Sequence, residues 1–179
     1  MRGAEALIRG VLPPGGSLLE LGCGSGLLAR RLQGTFGRYH GIDLAEAAIQ
    51  HARALPGIAH ATFEQGDALD AELPRSDVAV FLGLVDWLEP AEAKRLLEKV
   101  PARFLIFSFT AQGAVASPCS PYGLYRAWYD KQFGAGVYRA RSFQWEEVHG
   151  WLKPLQPRRV ELVGGGWYDP GRLVLVERA

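Results

Sequence analysis

An α/β domain, with a largely parallel sheet wrapped by helices on both faces, is the fold this sequence predicts. Three observations carry the prediction. Short apolar segments alternate with stretches of helical periodicity through the first 110 residues. The segment DVAVFL at 77–82 is apolar nearly throughout, as a parallel strand buried on both faces must be. A glycine-rich turn, Gly22-Cys23-Gly24-Ser25-Gly26, joins one strand directly to a helix. Right-handed crossovers then leave few ways to order the strands.

The elements follow in order. Residues 17–21 (SLLEL) form the first strand, after the turn Pro13-Pro14-Gly15-Gly16. Residues 27–33 are helical, with Leu28 and Leu32 on one face and Gly34 as the stop. A second strand covers 39–42. The helix at 45–55 carries Ala48, Ile49, Ala52 and Leu55 at helical spacing and ends at Pro56-Gly57. A short third strand spans 61–64, and 77–82 is the fourth. Pro90 opens the next helix, whose Ala93, Leu96, Leu97 and Val100 repeat at i, i+3, i+4 and i+7. A fifth strand spans 104–109. Residues 110–141 are rich in Gly, Ser, Pro and Tyr. A helix at 142–152 is expected with Ser142 as its cap. The strands 160–163 and 172–177 are close enough in sequence to form an antiparallel pair at the sheet edge.

At 179 residues the chain is long enough for one well-filled domain and short for two catalytic ones. Within it, 1–16 is expected as a short N-terminal helix or turn, 17–109 as a ligand-binding half, 110–156 as a covering segment and 157–179 as the terminal strand pair. Apolar residues make up 48% and charged residues 22%, which argues against disorder and coiled coil. No apolar run has the length of a membrane span. The start, MRGAEALIRG, lacks the apolar stretch of a signal peptide, so a cytoplasmic location is expected. A net charge of +1 does not suit a dedicated nucleic-acid binder. Cys23 and Cys119 are far apart and make no metal-type or redox pair. No metal is expected.

The glycine turn is the strongest chemical signal. Glycines permit positive φ and let a ligand approach the backbone. A dinucleotide fingerprint would need a third glycine at position 27, where Leu27 stands. Glu20, two residues before the first glycine, would repel a pyrophosphate and attract an ammonium. S-adenosylmethionine carries an ammonium and a sulfonium and no phosphate, so electrostatics favours it over NAD. Asp43 ends the second strand and can accept both ribose hydroxyls; capping the next helix is compatible with that. Leu44 can lie on the adenine face. Asp67 can accept from the adenine amino group, beside the Ala68 amide. The segment Phe81-Leu82-Gly83-Leu84 can offer a carbonyl to the ammonium. Cys23 is expected as a small filler within the loop.

These pieces, LLELGCGSG, GIDL, QGDA and DVAVFLGLVDWL, occur in the order and spacing of the class I S-adenosylmethionine-dependent methyltransferases, which the sequence resembles over about residues 17–110. The terminal VELVGGGWYDPGRLVLVE is also family-like. The resemblance implies a Rossmann-like sheet of seven strands, mostly parallel, with an antiparallel C-terminal strand. It implies cofactor contacts at Glu20, Gly22, Gly24, Asp43, Leu44, Asp67 and Leu82; the neighbouring Cys23, Ala68 and Leu84 complete the expected cofactor-binding set. The cofactor would be S-adenosylmethionine and the product S-adenosylhomocysteine.

The methyl acceptor should sit under whatever covers the carboxyl edge of the sheet. Of 19 aromatic residues, 11 lie from Tyr122 onward. Tyr122, Arg126 and Tyr129 are the candidate acceptor contacts, although Tyr122, Tyr125, Trp128 and Tyr129 also have the spacing of a helix packed on the sheet. Asp86 and His149 are the catalytic candidates, and a turn role or a surface role fits each as well. Leu82-Gly83-Leu84-Val85 lacks the polar motif that base-amino methylation places after the fourth strand. The expected activity is methyl transfer to a small-molecule O or N acceptor by a monomer or homodimer. The alternatives are a cofactor-binding module or partner subunit without catalysis and, more remotely, an NAD-dependent oxidoreductase.

Overall fold

A computed structural model describes residues 2–112, 140–164 and 171–179. Strand β1 (Ser17–Leu21) shows how the sheet is filled. Successive side chains of a strand point to opposite faces. Leu19 and Leu21 enter one core, and Leu18 enters the other. The same split recurs in β4 (Ser76–Phe81), where Ala79 and Phe81 face the first core and Val78 and Val80 the second. It recurs again in β5 (Ala102–Thr110), through Leu105 and Phe107 against Ile106.

Each core is closed by helices. On the first face lie α4 (Pro90–Lys99), through Ala93, Leu96 and Leu97, and α5 (Trp145–Leu152), through Val148, Trp151 and Leu152. On the second lie α1 (Arg2–Val11), through Ile8, and α2 (Leu27–Arg31), through Leu28 and Ala29. Helix α3 (Glu46–Arg53) packs chiefly on β3 (Ala61–Gln65) and also touches β2 (Arg38–Asp43). Among the described residues, seven strands run in the order β3-β2-β1-β4-β5-β7-β6, with β6 at Arg159–Val163 and β7 at Gly171–Glu177. Strands β1 to β5 pair in parallel. Strand β7 is antiparallel to both β5 and β6. The terminal pair is thus antiparallel as expected, but only β6 forms the edge.

Most boundaries move by one or two residues from expectation, and two of the shifts have identifiable reasons. Strand β5 starts earlier than the predicted residue 104, because Ala102 already pairs with Ser76. The predicted cap at Ser142 is corrected: α5 begins at Trp145, with Gln144 before it. Phe143 prevents an earlier start. Its N–H donates to the Thr110 carbonyl (2.9 Å), and its carbonyl accepts from the Gln112 N–H (2.9 Å). Its ring meets Trp151 edge-on at 5.0 Å. Residue 143 therefore extends the pairing of β5 and cannot enter a helix.

The β1–α2 turn depends on Gly41 in the middle of β2. A Cβ there would lie 2.9 Å from Cys23 Sγ and 3.0 Å from the Phe63 ring. Both are closer than packing tolerates, so the strand leaves a gap and Cys23 fills it. Gly41→Ala is expected to lower unfolding stability by about 1–3 kcal/mol through overpacking. Urea unfolding measures this, and an unchanged midpoint contradicts it.

Candidate functional site

The glycine turn leaves β1 with Gly22 at φ 72° and Gly24 at φ 52°, conformations that favour glycine. Its first three amides turn onto β2. The N–H groups of Gly22 and Cys23 both donate to the Ile42 carbonyl, at 2.8 and 3.1 Å. The Gly24 N–H donates to Asp43 Oδ2 at 2.7 Å. Three consecutive donors are thus turned onto the end of β2. A phosphate site at such a turn relies on free backbone N–H groups, and these three are engaged.

Asp43 is held from both sides, since its Oδ1 accepts from the Ala45 N–H at 2.9 Å. A carboxylate has about four acceptor sites, so capacity for two further donors remains. Asp43 lines a cavity of about 340 Å³ at the carboxyl ends of the strands. Gly22, Leu44, Asp67, Ala68 and Leu84 line it too. Leu44 is 70% exposed at its mouth. Asp67 is fixed by its own turn, where Oδ1 accepts from the Leu69 N–H at 2.9 Å. Lys99 Nζ donates to the Leu69 carbonyl at 2.8 Å and anchors that loop to α4. A smaller cavity of about 210 Å³ adjoins it, walled by Gly22, Asp43, Leu82, Gly83, Leu84 and Trp87.

Other expected residues lie elsewhere. Glu20 lines neither cavity. It is 5% exposed, and its carboxylate accepts from the Tyr39 hydroxyl beneath the loop. Strand alternation is the reason: Glu20 shares the face of Leu18, over Tyr39. Burial raises its pKa to about 8; the Tyr39 hydrogen bond works against this and the charge of Asp43 adds to it. Cys23 is buried against Gly41, and its thiol is pushed up to about 12, by burial first and then by Glu20 and Asp43. Gly24 is not in the cavity wall; it bears on the site through Asp43.

The catalytic candidates, Asp86 and His149, line neither of these two cavities. Asp86 accepts from the Thr110 N–H and from the Thr110 hydroxyl, both at 2.8 Å. Its carbonyl accepts from the Arg141 N–H at 2.7 Å. It clamps the end of β5 and lines neither cavity. Burial raises its pKa, opposed by the two Thr110 hydrogen bonds. His149 is exposed on α5, its ring 5.4 Å from that of Trp145. Tyr122, Arg126 and Tyr129 lie outside the described residues. Among the described residues no group of three or more His, Cys, Asp or Glu is placed to hold a metal. No helix among them is long and apolar enough to cross a membrane.

Seven wall residues were not among the expected contacts: Ile42, Gly66, Leu69, Trp87, Leu88, Glu92 and Leu96. The signal for Glu92 was present. Glu89-Pro90-Ala91-Glu92 is a helix-start pattern, and Glu92 Oε2 accepts from the Glu89 N–H at 2.9 Å. That contact brings the first turn of α4 to the cavity.

Residues 18–103 match the family model of the methyltransferase domain. Curated protein sequences give no match. Solved structures similar in fold include the magnesium protoporphyrin IX methyltransferase of Synechocystis PCC 6803 with bound SAH, at 20% identity and TM-score 0.72, covering 99% of this chain and 81% of that one. An S-adenosylmethionine-dependent methyltransferase from Mesorhizobium loti is 19% identical at TM-score 0.72, covering 98% of both chains. An O-methyltransferase family 2 protein from Planctomyces limnophilus, in complex with apigenin, is 18% identical at TM-score 0.68, covering 98% of this chain and 57% of that one.

The buried Glu20 makes stability depend on pH. Its folded pKa of about 8 stands above the ordinary 4.5. The stabilisation from the neutral buried carboxyl is therefore complete below about 4.5 and is lost as pH rises through about 8. Glu20→Gln keeps an acceptor for Tyr39 and does not ionise. The wild-type melting temperature is expected to fall relative to this variant between pH 5 and 9. Parallel melting curves across that range would show that Glu20 is not the titrating group.

Proposed function

We propose that this chain is a class I S-adenosylmethionine-dependent methyltransferase that moves the sulfonium methyl group to a small-molecule O or N acceptor. The observation that carries this reading is the inward-turned loop. With the amides of Gly22, Cys23 and Gly24 spent on β2, the crevice suits a nucleoside without phosphates, gripped by a carboxylate. Asp43 accepts the ribose hydroxyls. Leu44 lies on adenine, Asp67 accepts from its amino group and the Ala68 amide faces a ring nitrogen. The smaller cavity, along Leu82, Gly83 and Leu84, takes the methionine arm. Glu20 acts through the loop, as a buried acid beneath the cationic end of the ligand.

The step is an in-line displacement. An acceptor lone pair forms a bond to the methyl carbon while the carbon–sulfur bond breaks. Sulfur keeps that electron pair and becomes a neutral thioether, and the acceptor gives up its proton to water or a nearby base. The donor is already activated, so the protein contributes mainly alignment and exclusion of water. Tyr122, Arg126 and Tyr129 contact the acceptor. Small-molecule acceptors are supported by the porphyrin and apigenin named for two similar structures. The whole chain works as one domain, without a metal, in the cytoplasm, as a monomer or homodimer.

Calorimetry tests the reading. S-adenosylmethionine and S-adenosylhomocysteine should both bind, and the absence of binding at millimolar concentration would defeat it. Asp43→Ala removes the charged acceptor and is expected to weaken binding roughly 10- to 100-fold, the range of a hydrogen bond to a charged group. An unaffected affinity would move the ribose elsewhere.

A further inference from the structure

Trp87 is a residue of the crevice to which the proposed chemistry gives no task. It walls both cavities and is 56% exposed. Its place is set by a 3-10 turn, Val85–Trp87. Three residues per turn send successive side chains about 120° apart. Val85 enters the core, Asp86 reaches Thr110, and Trp87 borders the crevice. The turn is also held through its backbone, where the Trp87 N–H donates to the Leu84 carbonyl at 3.0 Å and the Leu88 N–H to the Val85 carbonyl at 3.1 Å. The core contact of Val85 and the Asp86 clamp anchor the turn on the side away from the indole.

Gly22, Asp43, Leu84 and Trp87 are common to the walls of both cavities. A nucleoside in the larger and an amino-acid arm in the smaller bring the sulfur that joins them to this shared wall. In S-adenosylmethionine that sulfur carries a full positive charge; in S-adenosylhomocysteine it carries none. Indole is the best aromatic partner for a cation. We propose that Trp87 is a specificity-determining residue, attracting the sulfonium through its ring and so favouring the charged donor over the neutral product. The inference rests on reading the crevice as an S-adenosylmethionine site. Once the methyl group has left, the electron pair stays on sulfur and the charge is gone. The attraction goes with it, which eases product release.

The test titrates S-adenosylmethionine and S-adenosylhomocysteine separately into the wild type, Trp87→Leu and Trp87→Phe. Trp87→Leu is expected to lose roughly 3- to 30-fold in affinity for the sulfonium, the range of a cation–π contact. Its affinity for the thioether should change less than about 2-fold, because the neutral sulfur has no charge to lose. Trp87→Phe should retain part of the discrimination. The ratio of the two affinities is read within one protein, so a change in folded fraction leaves it unaltered. If the wild type binds both ligands and Trp87→Leu weakens them equally, or not at all, the role of Trp87 is overturned while the nucleoside reading stands. If the wild type binds neither, both fall.

Discussion

The carboxylate of Asp43 joins the two halves of the crevice. One oxygen holds Gly24 of the turn after β1, and the other holds Ala45 at the start of α3. Together with the Ile42 carbonyl, which takes the amides of Gly22 and Cys23, it draws the glycine turn onto the end of β2. The position of the turn, the direction of its amides and the wall of the cavity all follow from that attachment. A charged acceptor on backbone N–H groups is among the stronger hydrogen bonds a protein makes. Losing it would release the turn.

Beneath this attachment lies an arrangement of three acidic groups of different character. Asp43 lies at the cavity, half-buried and engaged by amides. Glu20 is buried under the loop with Tyr39, and burial holds it largely protonated near neutral pH. The Cys23 thiol is kept neutral by the same burial and the same neighbours.

The far side of the crevice is built on β4 and β5. Stacking of Phe81 on Phe107, centroids 5.3 Å apart, joins these strands within the core. The Asp86–Thr110 clamp then ties the segment after β4 to the end of β5. This rigid corner carries Leu84 and Trp87. The two carboxylates expected to do different work, Asp43 and Asp86, thus share one trade. Each fixes backbone at a strand end, and of the two only Asp43 also borders the cavity.

Much of the fold was legible in the sequence, because period-2 and period-3.6 patterns report directly which faces are buried. The strands from 17–21 to 172–177, the helix opening at Pro90 and the glycine turn are local features, and local backbone chemistry decides them. Asp43, Leu44, Asp67 and Ala68 were also legible, since a strand end followed by a turn determines its place at the sheet edge. The tertiary structure decided what depends on partners distant in sequence. Phe143 pairs with β5 and starts α5 late; Glu20 turns to Tyr39 because the two lie on the same face of the sheet on adjacent strands; Asp86 meets Thr110; and Trp87 reaches the crevice because Val85 and Asp86 are held on other sides of a single turn. Sequence spacing states which residues share an element. Only packing states what each side chain meets.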